Sequence, residues 1–243
     1  MYCGALRIKY FKQRYSAPAA WRVGEPRPHN MLVLPFREAL KRDWRNLNGD
    51  EVWIYPLAAQ GGDVLRPTRH GTVDQIKNEL GVEIFISGAI CDIDDKGAHE
   101  EKRSSHISFF ESVESTLEPL KNAQGYFQYR TLRGMRAGFI FETPVSIEIG
   151  QAAQKEIHAK LTEMLENIPD ADVDRACLNL DRGQAAPFIC KRGQPVPDDH
   201  PQLYIHPENL SNDHVNGFYE LWQNRLNQAA HSSSSVRSGQ SKP

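Results

Sequence analysis

Two aspartates one residue apart, Asp92 and Asp94, close the apolar run from Val82 to Cys91. Side chains at i and i+2 of a strand leave the same face, so both carboxylates can converge on one point while Asp95 points away. Carboxylates held that close repel and raise one another's proton affinity unless positive charge sits between them; Mg²⁺ or Mn²⁺, hard cations that take oxygen ligands, supply it. An Asp-rich strand end is also ordinary turn chemistry, with Asp95-Lys96-Gly97 providing the turn. Taken alone, the doublet indicates a cation and nothing narrower.

Phosphoryl or nucleotidyl transfer on metal ions asks for more. A third acidic ligand is needed to hold two cations about 4 Å apart. Asp174 or Asp172, following the helix that Pro169 ends, is the natural choice, and the residues alone do not decide between them. If both lay well over about 10 Å from the Asp92 and Asp94 carboxylates, no shared two-metal site would exist. Basic side chains must also meet the charge on the phosphate oxygens. Arg133 and Arg136, in the turn Leu132-Arg133-Gly134-Met135-Arg136, and Arg182 are placed for that role. Arginines on a hairpin turn are otherwise solvated surface charges. His99 and His106 lie in a charged stretch without HxH spacing and read as exposed loop residues, not ligands.

The elements that must position these groups follow from periodicity and punctuation. Residues 1–30 mix Lys9, Lys12, Arg14, Arg22 and Arg27 with aromatics and prolines and read as an irregular arm. Met31 to Phe36 and Val52 to Leu57 read as strands around a helically spaced segment, Arg37 to Arg45, and Thr72 to Leu80 as a short capped helix. Lys96 to Ser105 is expected to be a loop. A helix is expected from Ile107 to Lys121, with Phe109, Phe110, Val113, Leu117 and Leu120 on its core face. Tyr126 to Arg130 and Gly138 to Phe141 are strand-like, joined by the basic turn. A second amphipathic helix, Gln151 to Asn167, carries Ile157, Leu161, Leu165 and Ile168 on its apolar side, and a strand is expected at Pro187 to Cys190. Residues 31–228 then form one mixed α+β domain, and the Ser-rich residues 229–243 a disordered tail.

Bulk properties bound the function. The 243 residues include 40% hydrophobic and 25% charged residues, ordinary for a globular protein, and no apolar stretch approaches the roughly 20 residues that span a bilayer. The N-terminus lacks the apolar core of a secretion signal, so a cytoplasmic location and no membrane partner are expected. Four cysteines without CxxC pairing argue against a structural zinc and a disulfide framework. A net charge of −2 gives no global attraction to nucleic acid, so any such surface must be local.

The order of the motifs resembles the archaeo-eukaryotic primase superfamily, in particular the primase-polymerase domains of phages, plasmids and mobile elements. Asp92-Ile93-Asp94 matches that family's DxD strand. Tyr129 to Phe141, with Arg136 before a hydrophobic strand, looks like the arginine-bearing version of its second motif. Val173-Asp174, Arg182 and Pro187 follow the third, and Lys191-Arg192-Gly193 resembles the basic turn after it. Two departures stand out: many members carry a nucleotide-binding His where this chain has Arg136, and many carry another Arg where it has Ala185-Ala186. The likeness covers residues 31–200. It implies an N-terminal α/β module and a recognition-motif-like C-terminal module with a cleft between them. In that cleft Asp92, Asp94 and Asp174 would hold two Mg²⁺ or Mn²⁺ ions, and Arg136, assisted by Arg133 and Arg182, would bind a nucleoside triphosphate. The implied activity is DNA-dependent nucleotidyl transfer, as a primase or polymerase, on a single-stranded or primed template, with a helicase or other replication protein as partner. Two alternatives remain: a nucleic-acid- or nucleotide-binding accessory protein of the same fold, and a metal-dependent nuclease.

Overall fold

The computed structural model describes residues 3–6, 32–33, 35–42, 53–54, 56–59, 83–180, 184–187 and 202–237. In chain order the elements are β1 (Cys3–Leu6), β2 (Leu32–Val33), α1 (Phe36–Lys41), β3 (Trp53–Ile54), β4 (Leu57–Ala59), β5 (Ile84–Asp95), α2 (Lys96–Glu100), α3 (Ile107–Leu117), β6 (Tyr126–Thr131), β7 (Gly134–Ser146), α4 (Ile147–Leu165), β8 (Ala171–Val173), β9 (Gln184–Ala185), β10 (Tyr204–Ile205) and α5 (Asn212–Arg237). Short 3₁₀ turns follow α3 (Glu118–Asn122) and β8 (Arg175–Leu178).

The architecture is mixed α+β, built on an eight-stranded sheet in the order β10-β6-β7-β5-β4-β1-β2, with β8 also paired to β5. Every strand pairing within it is antiparallel. β3 and β9 form a separate two-stranded ribbon. β5 organises the sheet. Along one edge it pairs with β7; along the other, β4 covers its start and β8 its end. Between those two short neighbours, the amide of Gln154 on α4 does the work of a strand. Its Oε1 accepts from Ile90 N at 3.1 Å and its Nε2 donates to Ile90 O at 2.8 Å. A buried backbone pair left without such a partner would cost about 1–3 kcal/mol per group.

An irregularity near Ser87 decides which way β5 faces. Pairing with β7 jumps from Ile86–Val145 to Gly88–Ile140. Ile84 and Ile86 pack on the same side as Ala89, Cys91 and Ile93, so the alternation changes from even to odd within the strand. That side is the main core, covered by Phe109, Phe110, Val113 and Leu117 of α3, by Ala153, Ile157, Leu161 and Leu165 of α4, and by Val215 of α5. Each fully buried Leu, Ile or Phe there contributes about 1.5–3 kcal/mol. Gly150 lets α4 lie against β5, since a Cβ at that position would stand 2.5 Å from the Ile86 side chain. The cluster on the other face is smaller among the described residues. Phe36, Ala39 and Leu40 of α1, with Ile54 and Ala186, cover Ile90, Phe127, Tyr129 and Ile140.

Several sequence expectations are corrected. Cys3–Leu6 of the supposed arm pairs with β2 and β4. The strand expected through Phe36 ends at Val33, because Pro35 starts α1 and Phe36 is its first residue. The loop from Lys96 opens with α2, whose N-terminus Asp95 caps by accepting from Ala98 N at 2.9 Å. The hairpin turn is only Leu132 and Arg133, so Met135 and Arg136 already belong to β7. α5 continues through the serines to Arg237, where composition suggested disorder; serine has a middling helix propensity, and an established helix propagates more easily than it nucleates. The helix expected at Thr72 to Leu80 lies outside the described residues, as do most of the arm and the strand expected at Pro187 to Cys190 apart from Pro187, which stands in a turn. No helix among the described residues is long and apolar enough to cross a membrane.

Candidate metal centre

The change of alternation near Ser87 puts Asp92 and Asp94 on the face away from the main core. Beside the end of β5, β8 sets Ile93 opposite Val173 and Asp94 opposite Asp172. The chain then continues so that Asp174 N donates to Asp92 O at 2.8 Å. Asp92, Asp94 and Asp174 each turn a carboxylate oxygen inward, and these atoms all lie within 4.8 Å of one another. Asp92 is buried; Asp94 and Asp174 are half-buried. Asp174 is held further by accepting from Ala176 N at 2.8 Å. The structure therefore separates the two candidates for a third ligand. Asp172 faces solvent with its carboxylate 3.4 Å from Lys96 Nζ, while Asp174 joins the pair.

These donors fit a hard divalent cation. Mg²⁺ or Mn²⁺ with oxygen ligands at about 2.1 Å sets neighbouring ligands about 3.0 Å apart and opposite ones about 4.2 Å apart, so the trio closes on such an ion through shifts of up to about 1 Å. Among the described residues, one buried cation stands against the trio. Arg136 sits directly opposite Asp92 across β5 and β7, and its Nη1 donates to Asp92 Oδ1. Both side chains are buried. Arg136 Nε is buried too and has no hydrogen-bond partner, an unmet donor in a guanidinium that bonds preferentially to anionic oxygens.

Tyr129 completes this row on the far side of Arg136. Burial pushes its hydroxyl well above the usual tyrosine range, with the charge of Arg136 opposing the shift and that of Asp92 adding to it. On the reverse face, behind the aspartates, Cys91 and Cys177 are free buried thiols hydrogen-bonded to each other; that hydrogen bond and burial push Cys91 up.

Gly134 fixes the hairpin that delivers Arg136. Its φ of 150° disfavours an L side chain, and a Cβ there would stand 2.1 Å from Ile93 O. Arg133, in the turn itself, is half-buried and serves the adjoining loop, donating from Nη2 to Lys102 O at 3.3 Å. Arg182 and the Lys191-Arg192-Gly193 turn lie outside the described residues. His106 is exposed at the start of α3 and makes no side-chain cap there. His99 departs from its sequence reading: carried back by α2, its Nε2 lies 3.1 Å from Asp94 Oδ1. The available signal was Asp95 itself, a helix-capping residue four positions before a histidine. No protein-family model matches the chain, and no curated protein matches it.

Proposed function

We propose that the chain is a DNA-dependent nucleotidyltransferase of the primase-polymerase kind, acting with two Mg²⁺ or Mn²⁺ ions on nucleoside triphosphates and a single-stranded or primed template. One observation carries this reading: Asp92, Asp94 and Asp174, from two separate segments, converge within 4.8 Å beside a buried arginine. Divalent ions at such a site lower the proton affinity of an attacking hydroxyl and offset charge on the leaving phosphates. The protein's share is to hold three carboxylates in one place and to set Arg136 against Asp92. Arg136, with Arg133 and Arg182, then supplies fixed positive charge toward the triphosphate. The implied two-module architecture, with its cleft, belongs to this proposal, as does a replication partner such as a helicase.

A second reading has its own support. Arg136 is already engaged by Asp92 and sealed from solvent, which suits a metal-holding accessory protein that binds nucleic acid without extending it.

One assay separates these readings. The protein is given primed and unprimed single-stranded DNA, nucleotides and Mg²⁺ or Mn²⁺, alongside Asp94→Ala. Extension that falls at least about 10³-fold in the variant is expected, because a lost metal ligand removes several kcal/mol of transition-state stabilisation and each 1.36 kcal/mol is tenfold. Template binding without extension or cutting, in both proteins, would establish the accessory role. Shortening of the template by the native chain alone would establish a nuclease.

A further inference from the structure

The run Asp92-Ile93-Asp94-Asp95 divides its labour. The first and third residues join the carboxylate cluster, and the fourth turns the chain. Asp95 Oδ1 accepts from Ala98 N, and Ala98 is fully buried, so α2 is anchored at its first turn. The following backbone is pinned in several places. Lys96 N donates to Asp170 O at 2.9 Å, Arg103 N to Ala98 O at 3.1 Å, and Ser105 N to Leu132 O at 3.0 Å. Lys102 adopts a left-handed conformation with φ 56°, and its carbonyl accepts from Arg133. This frame sets His99 over Asp94, at 3.1 Å from Nε2 to Oδ1.

The imidazole is not there to fill space. Its side chain is 40% exposed, so packing alone gives no reason for a histidine at this position. Asp94 does have a need that His99 meets. It lies near the end of its strand with 27% of its side chain exposed, while Lys96, two residues on, holds Asp172 nearby. A carboxylate so placed can swing between rotamers, and every swing costs a metal site its preorganised geometry.

We propose that His99 is a positioning residue for Asp94: its Nε2, in ion-pair contact with one carboxylate oxygen at 3.1 Å, holds the side chain toward Asp92 and Asp174. A hydrogen on Nε2 is available to that oxygen both in the neutral ring protonated there and in the fully protonated ring. Groups that orient metal ligands in this way are worth about 10- to 100-fold in metal affinity. The inference rests on the metal-site reading above, but it can fail separately.

The test is a Mn²⁺ titration followed by the electron paramagnetic resonance signal of free Mn²⁺, with thermal melting in metal-free buffer as a control on folding. Native protein, His99→Leu, His99→Gln and Asp94→Ala are compared. His99→Leu is expected to bind Mn²⁺ about 10- to 100-fold more weakly at an unchanged metal-free melting temperature, with His99→Gln, which keeps a donor, recovering most of the affinity. Native affinity in His99→Leu overturns the positioning role and leaves the metal site standing. Equal weakness in His99→Gln and His99→Leu also overturns it, because it makes His99 a direct ligand. If the native chain and Asp94→Ala alike fail to bind Mn²⁺, the metal site and the role of His99 fall together.

Discussion

The two faces of β5 are made from alternate residues of one strand and do opposite work. Toward α3 and α4, Ala89, Cys91 and Ile93 are buried in an apolar layer where the Gln154 amide has both ends hydrogen-bonded. Toward the other side, Ile90 packs near Phe127 and Tyr129, but two residues later the face turns ionic, with Asp92 and Arg136 buried against each other. The first arrangement lowers free energy by removing apolar surface from water. The second has a net contribution to stability near zero, because desolvating both ions cancels most of their attraction. A pair retained at such small benefit points to use rather than support.

Substitutions on each face break this contrast in different ways. The largest effect is expected from Asp92→Ala. It strands Arg136 as a buried charge and should lower unfolding free energy by about 3–5 kcal/mol, while Asp92→Ala/Arg136→Leu regains most of that loss. Urea denaturation measures both, and Mn²⁺ binding should be missing from both. A double variant no more stable than the single one would place the ionic pair among the supporting contacts. Next is Gln154→Leu on the apolar side, which leaves Ile90 N and Ile90 O unpaired at a cost of about 2–4 kcal/mol. Here Mn²⁺ affinity should hold in the folded protein, and a fall in affinity would mean that the two faces are coupled through β5. The smallest effect is expected from Asp95→Ala: about 1 kcal/mol for the lost cap, with Mn²⁺ binding weakened in the same direction as by His99→Leu, because α2 no longer holds the imidazole in place.

The sequence disclosed features that depend on local periodicity and concealed those that depend on register. The i, i+2 spacing of Asp92 and Asp94 and the apolar stripes of α3 and α4 are intrinsic to one segment, and the structure reproduces them. Arg136 opposite Asp92 is a fact about two strands. Reading the glycine as the centre of a longer turn placed Arg136 in the turn instead of the ladder. The choice between Asp172 and Asp174 was hidden because β8 has only three residues, too few for a period to show, and Asp174 joins the cluster from just beyond it. His99 stayed hidden because Asp95-Lys96-Gly97 suits a turn as well as a capped helix start, and only the burial of Ala98 distinguishes them. The Gln154 amide was unreadable for a similar reason: a glutamine within an amphipathic pattern gives no sign of a gap in a distant sheet edge.

The irregularity at Ser87 acts on β5 as a frameshift acts on a coding sequence. Upstream of it, the even positions Ile84 and Ile86 spell main core; downstream, the even positions face away from it and, from Asp92 on, spell chemistry. Removing or inserting one residue between Gly88 and Asp92 would exchange the two messages, sending Asp92 and Asp94 into the apolar layer and turning Cys91 and Ile93 toward the carboxylate face. Changes of two residues preserve the frame. Length variation in this strand is therefore expected in even steps, and an odd change survives only where a second irregularity restores the phase.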